Sequence, residues 1–264
     1  MIRRQCLVTG ASAGIGAACA RIFASHGYNM VLTARRADRL ERLAEEIGLR
    51  YGVETLIVPA DLADAAAVDA LLAEIAAHGL VIDALVNNAG YALPGVYGAS
   101  PWEDQRAMLQ VLLVAVCELT HGLLPGMIER GYGRILNVAS LAALAPGPAR
   151  QTLYAATKAF LVRFSQSLRQ ETLDQGVHVS ALCPGFTYSE FHDVNSMRAE
   201  ITRRIPAWRW MGPDEVAAAG YEAVEANRAV CVPGAPNKAL AAVAKILPDD
   251  WTAALMEREA ARAR

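Results

Sequence analysis

Thr9-Gly10-Ala11-Ser12-Ala13-Gly14-Ile15-Gly16 follows a short apolar run beginning at Cys6 and leads into a helix that runs to about His26. A strand, a glycine-rich turn and a helix in that order bring main-chain N–H groups and the positive end of the helix to one point, which suits a pyrophosphate. The spacing is Gly-x-x-x-Gly-x-Gly, unlike the Gly-x-Gly-x-x-Gly of other dinucleotide binders. Gly10, Gly14 and Gly16, with Ser12 and Ile15 between them, are therefore candidate cofactor contacts. A tight turn without a ligand is the alternative.

Outward from this turn, short apolar segments alternate with helical patterns. Candidate strands are 6–9, 30–33, 55–58, 84–86, 134–138, 177–182 and 229–232. Between them Leu40, Leu43 and Ile47, then Val68, Leu71, Leu72 and Ile75, recur at helical spacing. Near-continuous apolar strands separated by helices read as a parallel sheet covered on both faces. Right-handed crossovers wind it into an α/β fold, a doubly wound seven-stranded parallel sheet of the Rossmann type, with residues 1–264 as a single domain.

The 264 residues, 54% hydrophobic and 20% charged, are enough for a large core. A net charge of −2 argues against a nucleic-acid partner. The five cysteines lack CxxC spacing and read as small buried residues in a reducing compartment; the five histidines are scattered, so no metal site is expected. Met1-Ile-Arg-Arg runs straight into the first strand without a signal-peptide pattern, and the apolar run 111–117 is too short to span a bilayer. A cytoplasmic protein without a membrane span is expected.

The end of the second strand selects the cofactor. An NAD binder carries Asp or Glu there to accept from the ribose 2′-OH. This chain has Ala34, then Arg35 and Arg36. No carboxylate repels a 2′-phosphate and two guanidiniums can grip one, so NADP is expected over NAD. Solvated arginines ahead of the 38–47 helix are the alternative.

Tyr154-Ala-Ala-Thr-Lys158 places a phenol and an ammonium one helical turn apart on one face. A free phenol has a pKa near 10. A lysine about 4–5 Å away, at an effective dielectric of about 20, favours the phenolate by roughly 3–4 kcal/mol, or about 2–3 pKa units. That brings Tyr154 toward the range of a general acid/base, and the Ser140 hydroxyl can hold a carbonyl or alcohol oxygen beside it.

Gly10/Gly14/Gly16, Asp61 after the third strand, Asn87-Asn88-Ala89-Gly90 after the fourth, Ser140 after the fifth, Tyr154/Lys158, and Pro184-Gly185 after the sixth occur in order. Together they resemble the short-chain dehydrogenase/reductase family, single-domain branch, over nearly the whole chain. The resemblance implies an NADP(H)-dependent oxidoreductase interconverting a carbonyl and a secondary alcohol, with Ser140, Tyr154 and Lys158 catalytic. It implies that Asp61 accepts from the adenine amino group and that Asn88, Ala89 and Gly90 line the adenosine ribose. Lys158 also holds the nicotinamide ribose, Pro184-Gly185 turns the chain over the nicotinamide, and Thr187 and Ser189 bond its carboxamide.

The chain departs from the family pattern in three places. Leu112, eight residues ahead of Thr120, stands where the family usually carries an Asn that holds a proton-relay water. Ser140 lies fourteen residues before Tyr154, one more than the commonest spacing, with the extra residue in the Pro/Gly-rich loop 145–152. Ser189 replaces the more frequent Thr. Two other activities remain open: an NADP(H)-binding regulatory protein with little turnover, which Leu112 supports, and an epimerase or dehydratase of a related branch, for which the chain after Lys158 is short.

Substrate contacts are expected from 91–96, 141–150 and a lid at 186–211. In the lid Phe191, Met197, Ile201, Trp208, Trp210 and Met211 suit an apolar small-molecule substrate or pack the lid on the body. Arg198, Arg203 and Arg204 are an anion contact or a solvated face. Residues 237–264 read as two Ala-rich C-terminal helices that serve a homodimer or homotetramer, or the core.

Overall fold

Seven apolar segments pair in parallel: Gln5–Thr9 (β1), Asn29–Thr33 (β2), Thr55–Ile57 (β3), Ile82–Asn87 (β4), Gly133–Val138 (β5), Val177–Leu182 (β6) and Val230–Cys231 (β7). Their order is β3-β2-β1-β4-β5-β6-β7. The structure is a computed structural model that describes residues 3–93, 95–147, 149–190 and 205–262. The helices are Gly14–Ser25 (α1), Ala37–Tyr51 (α2), Ala67–Ala77 (α3), Trp102–Leu109 (α4), Ala115–Glu129 (α5), Thr152–Glu171 (α6), Pro213–Glu225 (α7), Ala235–Ile246 (α8) and Asp249–Arg262 (α9).

Alternate strand side chains must point to opposite faces, and here both faces are apolar. Cys6 and Val8 join Met30 and Leu32 in one core, under Phe23 of α1, Leu40 of α2 and Val216 of α7. Leu7 and Val31 join the other core, under Leu71 of α3, Leu119 of α5 and Leu168 of α6. The strand order reverses between β1 and β4, so a crevice opens beyond their carboxyl ends, where α/β sheets bind ligands.

β4 extends beyond the apolar run 84–86 through Ile82, Asp83 and Asn87, the last two polar. The Asp83 carboxylate accepts from the Gln5 N–H at 3.0 Å, and Asn87 is buried. The apolar run 111–117 is likewise part of something longer. α4, a π-helical turn at Gln110–Val114 and α5 are continuous over Trp102–Glu129, which is long and apolar enough by length and composition to cross a membrane. The expected apolar run is thus one stretch of a longer helix. In the fold this helix covers the sheet, with Val111, Ala115, Leu119 and Met127 in the second core.

A chain of buried amides runs through the layers and positions α6. Asn87 and Asn137 are register partners on β4 and β5. The Asn87 amide donates to Asn137 Oδ1 at 2.8 Å, the Asn137 amide to Ser165 Oγ at 2.9 Å, and Ser165 Oγ to the Leu161 carbonyl at 2.7 Å. Cutting this chain in the middle takes the donor from Ser165 Oγ and leaves the Asn87 amide only the longer contact to Thr120 Oγ1 at 3.4 Å, a loss of roughly 2–3 kcal/mol. Asn137→Ala is therefore expected to lower the thermal midpoint by about 5–10 °C in a circular-dichroism melt. A shift under about 2 °C would show that the layers are held together without it.

Candidate active site

The glycine turn is shaped by contact with the β4 loop. Gly14 has φ +55°, which most L residues avoid, and a Cβ there would meet the Ser189 Cβ at 2.8 Å. A Cβ on Gly16 would run into the Gly10 carbonyl and the Asn88 amide. The α1 N-terminus has no side-chain cap and no acidic residue in its first turn. Its orphan N–H groups and the space those glycines keep free fit the pyrophosphate of a dinucleotide. Ile15 packs inward against the first core.

Thr9 organises this region, a role the sequence reading did not give it. Its hydroxyl donates to the Val86 carbonyl at 3.3 Å and accepts from the N–H groups of Asn88 at 2.9 Å and Ala89 at 3.0 Å. The Asn88 amide in turn donates to the carbonyls of Thr9 at 2.9 Å and Gly10 at 3.2 Å. Asn88 thus spends its side-chain amide on holding the turn.

The two arginines diverge. Arg36 donates from Nη2 to Ser12 Oγ at 2.9 Å and from Nη1 to Glu190 at 2.8 Å. Arg35 lies 4.0 Å from Asp61 and is largely exposed. Asp61 also accepts from the Ala63 N–H at 3.1 Å. Arg36 is thus held at Ser12 beside the glycine turn, while Arg35 faces Asp61.

Ser140, Tyr154 and Lys158 come together at the carboxyl end of β5. The Ser140 hydroxyl hydrogen-bonds the Tyr154 phenol and accepts from the Ala142 N–H at 3.2 Å. Lys158 is buried, donates to the Val138 carbonyl at 2.7 Å and lies 5.7 Å from the centre of the Tyr154 ring. The tyrosine pKa departs from the expected direction. Burial pushes Tyr154 up to about 12, against the lowering effect of the Ser140 hydrogen bond. Burial also lowers Lys158 to about 8, partly offset by Cys183. A low-dielectric site disfavours charge on both groups.

Leu112 lies on the π-helical turn, buried, and its Cδ2 would touch a Cβ on Gly90 at 2.6 Å. That Cβ would also lie 3.8 Å from Lys158 Nζ, so an apolar group flanks the lysine where the relay Asn was expected.

Past β6, Pro184 accepts from the Leu141 N–H at 2.9 Å, tying its turn to the Ser140 loop. Gly185 faces Asn237, whose amide oxygen would lie 2.6 Å from an added Cβ. Thr187 turns its hydroxyl back to the Gly185 carbonyl at 3.2 Å. Of the expected lid, Phe191, Met197, Arg198, Ile201, Arg203 and Arg204 lie outside the described residues. Trp210 and Met211 are buried against the body and Trp208 is exposed, so the described apolar residues mostly pack. The pocket at Tyr154 is lined instead by Val96, Tyr97, Met108, Arg150 and Thr152, in part the 91–96 and 141–150 segments.

The C-terminal helices brace this same site. Leu240, Ala241 and Ala244 of α8 face Leu141 and Leu144 after Ser140. Glu257 of α9 accepts from the Ala149 N–H at 2.9 Å. The sequence carried no local signal for either contact.

The chain belongs to the short-chain dehydrogenase family, whose profile matches residues 4–199, and it is thereby a member of an oxidoreductase family. Nodulation protein G of Rhizobium sp. (strain N33) is 36% identical over 232 residues, 88% of this chain and 93% of that protein. Among solved structures, a 7β-hydroxysteroid dehydrogenase superposes with a TM-score of 0.85 at 26% identity, covering 96% of each chain. A short-chain dehydrogenase from Sphingobium yanoikuyae in complex with NADPH has a TM-score of 0.78 at 30% identity, covering 93% of this chain and 96% of its own.

The lowered Lys158 pKa has a consequence for stability. Below about pH 8 the folded chain carries a buried cation, a penalty of about 3 kcal/mol for a fall from 10.5 to about 8. Between those values the unfolded chain binds the extra proton, so the penalty is relieved as pH rises and is gone above about 10.5. In urea unfolding, Lys158→Met is expected to gain most over the unsubstituted protein near pH 7 and least near the ordinary lysine pKa. A gain independent of pH would mean that Lys158 titrates like a solvated lysine.

Proposed function

We propose that the protein is an NADP(H)-dependent oxidoreductase interconverting a carbonyl and a secondary alcohol. The observation that carries this reading is the Ser140–Tyr154 hydrogen bond beside buried Lys158. The three groups share the carboxyl edge of the sheet with an uncapped helix N-terminus and a glycine cradle.

In this reading Ser140 and Tyr154 hold the substrate oxygen between two hydroxyls. Tyr154 gives it a proton in reduction and takes one back in oxidation. A phenol of raised pKa is a good reservoir for that proton, and the Lys158 ammonium supports the phenolate that forms. Lys158 also holds the nicotinamide ribose. The nicotinamide supplies or accepts the hydride. Arg36 and Ser12 hold the 2′-phosphate, with Arg35 and Asp61 at the adenine side; the NADPH in the Sphingobium relative supports that choice over NAD. Val96, Met108 and Leu153 give the pocket an apolar wall suited to a small apolar ketone, and Ser100 and Gln105 add polar contacts.

The test is a panel of ketones with NADPH. Tyr154→Phe is expected to lower turnover on any confirmed substrate by about 10²–10⁴-fold, with NADPH binding changed less than about threefold. Full turnover in that variant would overturn the assignment. Leu112 at the relay position favours a second reading, a cofactor-binding protein with little turnover. Tight NADPH binding with no oxidation across the panel would select it.

A further inference from the structure

Glu190 is the one anion that the described chain places on the Arg36 guanidinium. Its two carboxylate oxygens are divided between Arg36, at 2.8 Å, and Arg39 on the next turn of α2. It arrives from the segment after β6, 154 residues along the chain from Arg36. Ser189 beside it rests against Gly14 of the glycine turn. Arg36 keeps its other terminal nitrogen on Ser12. Among the described residues neither arginine makes a second ion pair with a carboxylate. The two guanidiniums hold the Glu190 carboxyl below the usual range, Arg39 more than Arg36.

We infer that Glu190 sets the discrimination between NADPH and NADH by placing a fixed negative charge on the guanidinium that receives the 2′-phosphate. The inference rests on Arg36 being that phosphate ligand. Phosphate and carboxylate then share one guanidinium, and like charges so close repel. The shared cation therefore binds a 2′-phosphate less tightly than an unpaired Arg36 and Arg39 would. A 2′-hydroxyl carries no charge and is indifferent. Two charges at the surface interact through water, so the effect is moderate and falls with salt.

Glu190→Gln removes the charge and keeps a group that can still accept from both arginines. Binding is measured on the purified full chain by calorimetry, with 2′,5′-ADP against 5′-AMP and with NADPH against NADH. Glu190→Gln is expected to tighten 2′,5′-ADP and NADPH about five- to tenfold, with 5′-AMP and NADH unchanged. Glu190→Ala changes affinity in the same direction, and Glu190→Asp stays close to the unsubstituted protein. Unchanged or weakened NADPH binding in the Gln and Ala variants would overturn the inference. Arg36→Met separates the two levels. If it abolishes the preference for 2′,5′-ADP while Glu190→Gln has no effect, the NADP assignment stands and the role of Glu190 falls. If the unsubstituted protein shows no such preference and Arg36→Met changes nothing, the NADP assignment fails and this inference with it.

Discussion

The Thr9 hydroxyl joins the two central strands at the point where the sheet changes direction. One donor and two acceptor contacts there hold β1, β4 and the loop after β4 in a single register, and the Asn88 amide closes the arrangement from the other side. The glycine turn hangs on this junction. If the β4 loop withdrew, the backbone of Gly10 would lose its packing partner and Gly16 would no longer be pressed against Asn88. The helix N-terminus would then open onto a turn of undefined shape. A parallel sheet supplies no hairpin to join neighbouring strands, so side chains at strand ends must do that work.

Burial is the second constraint, and it acts on the chemistry. Lys158 and Tyr154 share an environment that disfavours the charged form of each. The Asn87–Asn137–Ser165 chain holds the helix carrying them against the sheet. The same low dielectric that raises the tyrosine pKa strengthens whatever charge interactions form once a ligand covers the site.

The fold was legible in the sequence because each strand is an apolar run bounded by a polar turn, and because α/β alternation leaves few topologies. The glycine turn and Tyr154/Lys158 were legible for the same local reason: their spacing carries the geometry. What escaped was long-range. Asn137 and Ser165 sit in an apolar strand and helix with nothing to mark them as partners. Glu190 meets arginines from the opposite end of the chain order. The use of the Asn88 amide escaped too, because only the fold brings the Thr9 and Gly10 carbonyls to it. The tyrosine pKa ran opposite to the pairwise expectation because desolvation is a property of the whole surround, which no dipeptide or tetrapeptide spacing encodes.

The contact between Glu257 and the Ala149 N–H spans 108 residues of sequence. Ala149 lies in the loop that separates Ser140 from Tyr154, and that loop is shouldered on its other side by α8. During synthesis β1 to β6 and α1 to α6 are made before either support, and α7, which covers one face of the sheet, follows them. The loop between Ser140 and Tyr154 meets these two supports only after α8 and α9 have followed it. Order of synthesis therefore separates the junction of the glycine turn with the β4 loop, whose partners are made early, from the loop between Ser140 and Tyr154, whose bracing helices follow it in the chain.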